Sequence, residues 1–333
     1  MQIGQLAQPL AFGGVSVSNR VFLAPMSGIS DRPFRELALG FGAGMVVSEM
    51  IASAELATGN PEAVMRAERA TSGLHVVQLA GREAHWMAEG ARAATDAGAD
   101  VIDINMGCPA KKVTGGYSGS ALMRDLDLAV RLIDATVAAT ARPVTLKMRL
   151  GWDDRSINAP ELARRAEAAG VQLITVHGRT RCQFYAGHAD WAAIRAVKDA
   201  VRVPVVANGD VVSESDLPRL LALSGADAVM VGRGTQGAPW LPGALAAHAG
   251  GRPFAAPGGA VLRDLVLAHY EAILQHYGPF VGAKAARKHL GWYMDRAGSA
   301  LALRQAVMTE PRPAAVTRLL AQAFSIGAER SAA

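Results

Sequence analysis

The chain has 333 residues, half of them apolar and 5% aromatic, and a formal net charge of +5. That length suits one large domain plus a smaller one. No apolar run approaches the roughly 18 residues of a transmembrane helix, and no basic-then-apolar leader opens the chain. Two cysteines, Cys108 and Cys182, make no disulfide framework, so a reducing cytoplasm is the expected compartment.

Taken in chain order, short apolar runs alternate with helical stretches. The runs are Val21–Met26, Met45–Met50, His75–Leu79, Val101–Asn105, Val144–Arg149, Leu173–His177, Val203–Asn208 and Ala228–Arg233. Their apolar continuity predicts strands buried on both faces of a parallel sheet. Between them Glu83–Ala97, Leu126–Ala139, Pro160–Ala169, Trp191–Val201 and Glu214–Ser224 have helical length and amphipathic spacing. Several of these stop at a glycine, at Gly98, Gly170 and Gly225. Eight β/α units in about 250 residues predict a (β/α)₈ barrel, of the TIM type, over residues 1–250, with a doubly wound open sheet as the competitor. The Gly/Pro-rich stretch from Gly250 to Gly259 reads as a linker. Beyond it only helices are expected, near Val261–Tyr277, Gly282–Arg296, Leu301–Thr309 and Pro313–Phe324, so residues 251–333 form a small helical domain. Residues 1–250 hold 24 basic and 24 acidic side chains, and residues 251–333 hold 10 and 5. The whole excess therefore sits in the helical part, which suggests an acidic partner such as nucleic acid; a solvated basic face would look the same.

In such a barrel, chemistry gathers at the C-terminal ends of the strands. There the apolar runs end, unit after unit, in polar groups: Met26-Ser27, Gln78, Asn105, Lys147-Met148-Arg149, His177-Gly178-Arg179, Asn208-Gly209-Asp210 and Gly232-Arg233-Gly234. The glycine turns after strands seven and eight form the barrel's usual phosphate site. Gly232–Gly237 also matches the dinucleotide fingerprint G-x-G-x-x-G. No acidic residue lies about 20 positions on and no further βα unit follows, so that reading is rejected. Lys147 ends a buried strand, where a lysine needs a partner. Either it faces the electron-rich edge of a reduced flavin, or it pairs with Glu49 or Asp103. Cys108 opens a loop with Lys111, Lys112 and several glycines, a setting that tunes a thiol and lets a lid move. Cys182 lacks such a setting.

The segment from Ala24 to Arg35, Asp103-Ile104-Asn105-Met106-Gly107-Cys108-Pro109, Lys147-Met148-Arg149, the His177–Arg181 run and the Lys284–Tyr293 run together resemble the motifs of tRNA-dihydrouridine synthases. The likeness covers nearly the whole chain and is similar to the bacterial B-type branch, with Ser27 where Ala is commoner and Gly209-Asp210 after Asn208. It implies FMN as the bound cofactor and NADPH as its reductant. By matching position, Pro25, Met26, Ser27, Gln78, Lys147, His177, Asn208, Gly209, Asp210, Gly232 and Arg233 would hold FMN. Cys108 would be the proton donor, and Asn105, Arg149 and Arg179 would meet the substrate RNA. Lys284, Arg287 and Lys288, spaced i, i+3 and i+4, would share one helix face and meet tRNA phosphates. The resemblance implies no metal, no membrane and no stable protein partner. Two rivals remain at this point: a free-pyrimidine oxidoreductase such as dihydroorotate dehydrogenase, and an RNA-binding protein on an inactive barrel. The first has no use for the basic helices, and the second would lack the flavin.

Overall fold

Strands buried on both faces close into a ring in the computed structural model, which describes residues 2–330. The strands are β1 (Val21–Leu23), β2 (Met45–Val46, resuming at Ile51–Ala52), β3 (Val76–Ala80), β4 (Val101–Met106), β5 (Val144–Arg149), β6 (Leu173–His177), β7 (Val205–Asn208) and β8 (Ala228–Val231). Each pairs in parallel with the next, and β8 pairs with β1. A parallel bridge between Val47 and Val76 spans the break in β2, so the sheet is a closed barrel and not an open doubly wound one.

Four expected strands are shorter than their apolar runs: Val203–Asn208 starts at Val205, Ala228–Arg233 stops at Val231, and in the other two a serine hydroxyl takes a backbone partner. The Met45–Met50 run breaks at Ser48, whose Oγ accepts from the Gln78 amide at 2.9 Å and donates to the Glu49 carbonyl. The Val21–Met26 run ends at Leu23, because the Met26 amide donates to Ser30 Oγ at 2.8 Å and the chain turns. Helices Ala84–Asp96, Leu126–Ala138, Ala159–Ala168, Trp191–Ala200 and Asp216–Ser224 lie within two residues of the expected bounds. Asp31, Asp125 and Asp190 cap helix starts through their carboxylates, a contribution of about 1 kcal/mol each.

An antiparallel hairpin, Leu10–Phe12 with Val15–Val17, closes the bottom of the barrel, and the strand reading above does not contain it. Leu10, Phe12 and Val17 pack into the interior with Phe22, Met45, Val206 and Met230. Residues 252–258 have no regular structure. The helix Gly259–Arg296 follows, broken at Gly278 before Pro279, then Leu301–Thr309 and Pro313–Arg330. These helices do not build a core alone. Ala238 and Trp240, from the segment after β8, lie in one apolar cluster with Tyr270, Leu290 and Tyr293. Gly237, with φ +70°, is part of the same junction: a β-carbon there would sit 2.6 Å from the Trp292 carbonyl oxygen. No helix of the described residues is long and apolar enough to cross a membrane.

The junction also buries two neutral histidines. His269 and His289 stack on Phe34 with ring centroids 5.9 and 5.3 Å away, and His269 Nδ1 meets the Tyr293 hydroxyl at 3.0 Å. Burial pushes His269 down to about 3 and His289 well below its ordinary value. A histidine that stays neutral when folded but protonates when unfolded costs stability as pH falls below about 6.5. For His269 that amounts to about 2 kcal/mol at pH 5. Asp31, raised to about 6 chiefly by burial, acts in the opposite sense over the same window. The Tm is therefore expected to drop between pH 7 and pH 5. Neither ring nitrogen of His289 has a hydrogen-bond partner among the described residues, so His289→Phe should make the drop shallower. An unaltered pH slope in that variant would contradict this account.

Candidate active site

A cavity of about 810 Å³ opens at the C-terminal ends of the strands. The polar strand ends read from the sequence converge on it. Pro25, Met26, Ser27, Gln78, Lys147, His177, Asn208, Gly209, Asp210, Gly232 and Arg233 all line it, as do Asn105, Cys108 and Arg149. The alternation of a parallel strand explains the selection. Asn105 and Lys147 are lateral partners in the β4–β5 register, and Asn208 and His177 are partners between β7 and β6.

Lys147 forms no ion pair among the described residues. Its Nζ donates to Asn208 Oδ1 at 3.1 Å, and Asn208 is itself held by donating from Nδ2 to the Met230 carbonyl at 2.8 Å. The two carboxylates weighed as partners are engaged elsewhere. Asp103 accepts from Gln78 and Thr145, and Glu49 accepts from the Gly28 amide. Burial, and next the Arg149 guanidinium, bring Lys147 down to about 8. The wall of the cavity therefore carries a cation with no directly bonded carboxylate among the described residues, although the buried Asp103 acts on it through space.

At the β7–β8 side, Gly209 takes φ +124°, and a β-carbon there would fall 2.7 Å from Ala189 Cβ and 3.0 Å from the His177 ring. Only glycine keeps this turn close to the imidazole. His177 is held well below its ordinary value by burial, then by Lys147 and the arginines around it, so the ring is neutral. Its Nε2 faces Arg179 Nη1 at 3.3 Å. A guanidinium only donates, so Nε2 accepts and the proton rests on Nδ1. Asp210, left-handed at φ +56°, accepts two bonds from Arg179 at 2.9 and 2.6 Å and one from Arg233 at 3.3 Å. Its carboxylate is thus neutralised within the protein, and Arg233, half exposed, is the charge left facing the cavity.

The Cys108 loop is anchored at its base. Asn105 Oδ1 accepts from the amides of Gly107 and Cys108 at 3.1 and 2.9 Å. Ser120 Oγ donates to the Cys108 carbonyl at 2.8 Å, and Arg149 Nε donates to that of Gly107 at 2.8 Å. The half-buried Cys108 side chain is free to face the cavity. Cys182 is exposed on the loop after β6.

Four expected RNA contacts lie elsewhere. Arg179 is 1% exposed and is absent from the cavity lining. Its five N–H groups meet the carbonyls of Ala186 and Gly187, His177 Nε2 and both oxygens of Asp210. All five are thus engaged within the protein, and Arg179 holds Asp210 in place. Lys284, Arg287 and Lys288 are on one helix as expected, but in different settings. Lys284 is exposed and Arg287 half-buried. Lys288 reaches back to the turn after β1, where its Nζ would be 3.1 Å from a β-carbon placed on Gly28. The sequence reading missed Phe184 and Tyr185, which stand 43% and 44% exposed at the cavity mouth. Arg233 and Arg149 approach the Tyr185 ring at 4.7 and 5.5 Å. An aromatic pair in a loop just past a strand-end cluster was the available signal.

Residues 22–326 match the family model described as Dihydrouridine synthase (Dus). The chain belongs to the dihydrouridine synthase family. A protein of Rhizobium leguminosarum bv. phaseoli named "Probable tRNA-dihydrouridine synthase" is 58% identical over 316 residues, covering 94% of this chain and 98% of that one. "tRNA-dihydrouridine synthase B" of Xanthomonas axonopodis pv. citri (strain 306) is 46% identical over 286 residues, 85% and 86% of the two chains. Among solved structures, histamine dehydrogenase from Rhizobium sp. 4-9 superposes with a TM-score of 0.58 at 13% identity, over 81% of this chain and 51% of that one. A morphinone reductase mutant, N189A, gives 0.52 at 17% identity, over 73% and 91%. These last two likenesses establish the barrel fold. The dihydrouridine synthase match runs through the C-terminal helices, which the free-pyrimidine reading leaves without a use.

Proposed function

We propose that this protein reduces uridines in the D-loop of tRNA to 5,6-dihydrouridine, with FMN in the barrel cavity and NADPH as the reductant. The observation that carries the proposal is Lys147, a cation on the cavity wall with no direct ion pair among the described residues, in the same cavity as Cys108. The residues fit a flavin mononucleotide. The narrow turn at Gly209, the neutral His177 with a free Nδ1–H and the exposed guanidinium of Arg233 suit its phosphate end. Lys147 suits the edge where a reduced isoalloxazine ring gathers negative charge.

Bound FMN, once reduced, supplies the hydride that adds to uracil C6. Addition at C6 leaves negative charge on C5, delocalised into the C4 carbonyl, and the Cys108 thiol would deliver the proton to C5 from the opposite side. Lys147 and Arg149 line the same cavity as the thiol. The target base must leave its stack to enter a cavity this deep, and Asn105 and Arg149 line the space it would occupy. Dihydrouridine should appear in tRNA incubated with the protein, FMN and NADPH, read by mass spectrometry of digested nucleosides. Its absence, with reduction of free uracil or orotate instead, would overturn the reading.

Lys284, Arg287 and Lys288 are proposed to position the tRNA through its phosphates. Replacing all three by Ala is expected to flatten the dependence of log Kd on log salt concentration by about 0.7–0.9 per lost contact. Lys288, turned toward Gly28, should contribute less than Lys284. An unchanged slope would mean an ordinary solvated face.

A further inference from the structure

Asp103 is buried at 4% exposure beneath the cavity floor, forms no ion pair among the described residues, and is absent from the cavity lining. It sits in register between Gln78 on β3 and Thr145 on β5, so three adjacent strands place these side chains abreast. Thr145 Oγ1 lies 2.6 Å from Asp103 Oδ1, and Gln78 Nε2 donates to Asp103 Oδ2 at 2.6 Å. The chain of bonds continues toward the site. Asn105 Nδ2 donates to Gln78 Oε1 at 2.8 Å, and Asn105 Oδ1 accepts from the Gly107 and Cys108 amides. We propose that Asp103 is a positioning residue which fixes the orientations of the Gln78 and Asn105 amides, and through them the backbone of the Cys108 loop.

Donor and acceptor polarity fixes each amide in turn. Backbone amides only donate, so Asn105 must turn its oxygen to the loop and its nitrogen to Gln78. Gln78 must then turn its oxygen to Asn105 and its nitrogen away, and that nitrogen needs an acceptor. Asp103 supplies one in either protonation state. Ionised, it only accepts; protonated on Oδ1, it donates to Thr145 and still accepts at Oδ2. Turning either amide around sets donor against donor. The orientation is therefore locked from both ends, and the lock withstands titration of the carboxyl, which burial raises above its ordinary value.

The inference rests on Cys108 acting in the reaction, but its test does not. In FMN-loaded protein carrying Cys182→Ser, so that one thiol remains, the alkylation rate of Cys108 by iodoacetamide reports the loop directly. Asp103→Leu keeps the bulk and removes the acceptor. Alkylation should accelerate by about fivefold, the factor carried by one lost hydrogen bond, and turnover on tRNA should fall to match at unchanged KM. Asp103→Asn, which can still accept at Oδ1 from Gln78 while donating to Thr145, should restore both. An unchanged alkylation rate in a folded, FMN-loaded Leu variant would overturn the proposal. So would an Asn variant as impaired as the Leu variant, since charge and not polarity would then matter. If the Leu variant does not fold, Gln78→Met must produce the same acceleration, and a wild-type rate there would also overturn it.

Discussion

Replacing Cys108 by Ala is expected to lower turnover on tRNA by about 10²–10⁴, the usual worth of one positioned acid, while NADPH still reduces the flavin at the wild-type rate. The split follows from where the side chain stands. The loop backbone is tied by Asn105, Ser120 and Arg149, none of which bonds to the thiol. Removing sulfur should therefore leave the loop, the cavity and the flavin site as they are. Cys108→Ser keeps the shape but offers a far weaker acid, and should recover little of the loss. Stopped-flow bleaching of the flavin, followed by single-turnover reaction with tRNA, separates the two half-reactions. Wild-type reoxidation by tRNA in the Ala variant would remove Cys108 from the mechanism.

Lys147→Met should move function and stability in opposite directions. The ammonium is partly buried on the cavity wall, bonds among the described residues only to the neutral Asn208, and is brought down to about 8. A lysine whose folded value lies below its unfolded one of about 10.4 costs stability that is fully present below pH 8 and relieved as pH rises toward 10. For this shift the cost is on the order of 3 kcal/mol at pH 7. The Met variant without flavin should therefore melt above the wild type. With flavin, the rate of reduction by NADPH should fall by about 10²–10³, the range for deleting one preorganised electrostatic partner. In the wild type that rate should decline at alkaline pH, once the cation is lost. Tight FMN binding, normal reduction and an unraised Tm would together refute the role given to Lys147.

The barrel was legible because its strands are continuous apolar runs and its helices stop at glycine; Val144–Arg149 and Leu173–His177 match to the residue. The cavity residues were legible for the same reason, since polar groups at the ends of apolar strands share one end of a ring. Side-chain substitution for backbone bonding was not legible. Nothing in the Met45–Met50 run says that the Ser48 hydroxyl will take a ladder position. Nor could spacing separate Arg149, whose strand-end position keeps it in the cavity, from Arg179, two residues beyond its strand and consumed by Asp210. The hairpin at Leu10–Val17 was missed because its strands are three residues each, below the length at which alternation can be read.

The apolar cluster that Trp240 and Ala238 share with Tyr270, Leu290 and Tyr293 bears on how such a chain can be recombined. A chimera joined at residue 250 would pair one parent's tryptophan with the other's helices, and the seam would run through an interior instead of around it. Gly237 tightens the constraint, because its approach to the Trp292 backbone leaves no room for a β-carbon. Exchange of the basic helices between relatives should succeed only when the segment Gly237–Leu241 travels with them. The catalytic ring and the helices beside it are thus inherited as one part.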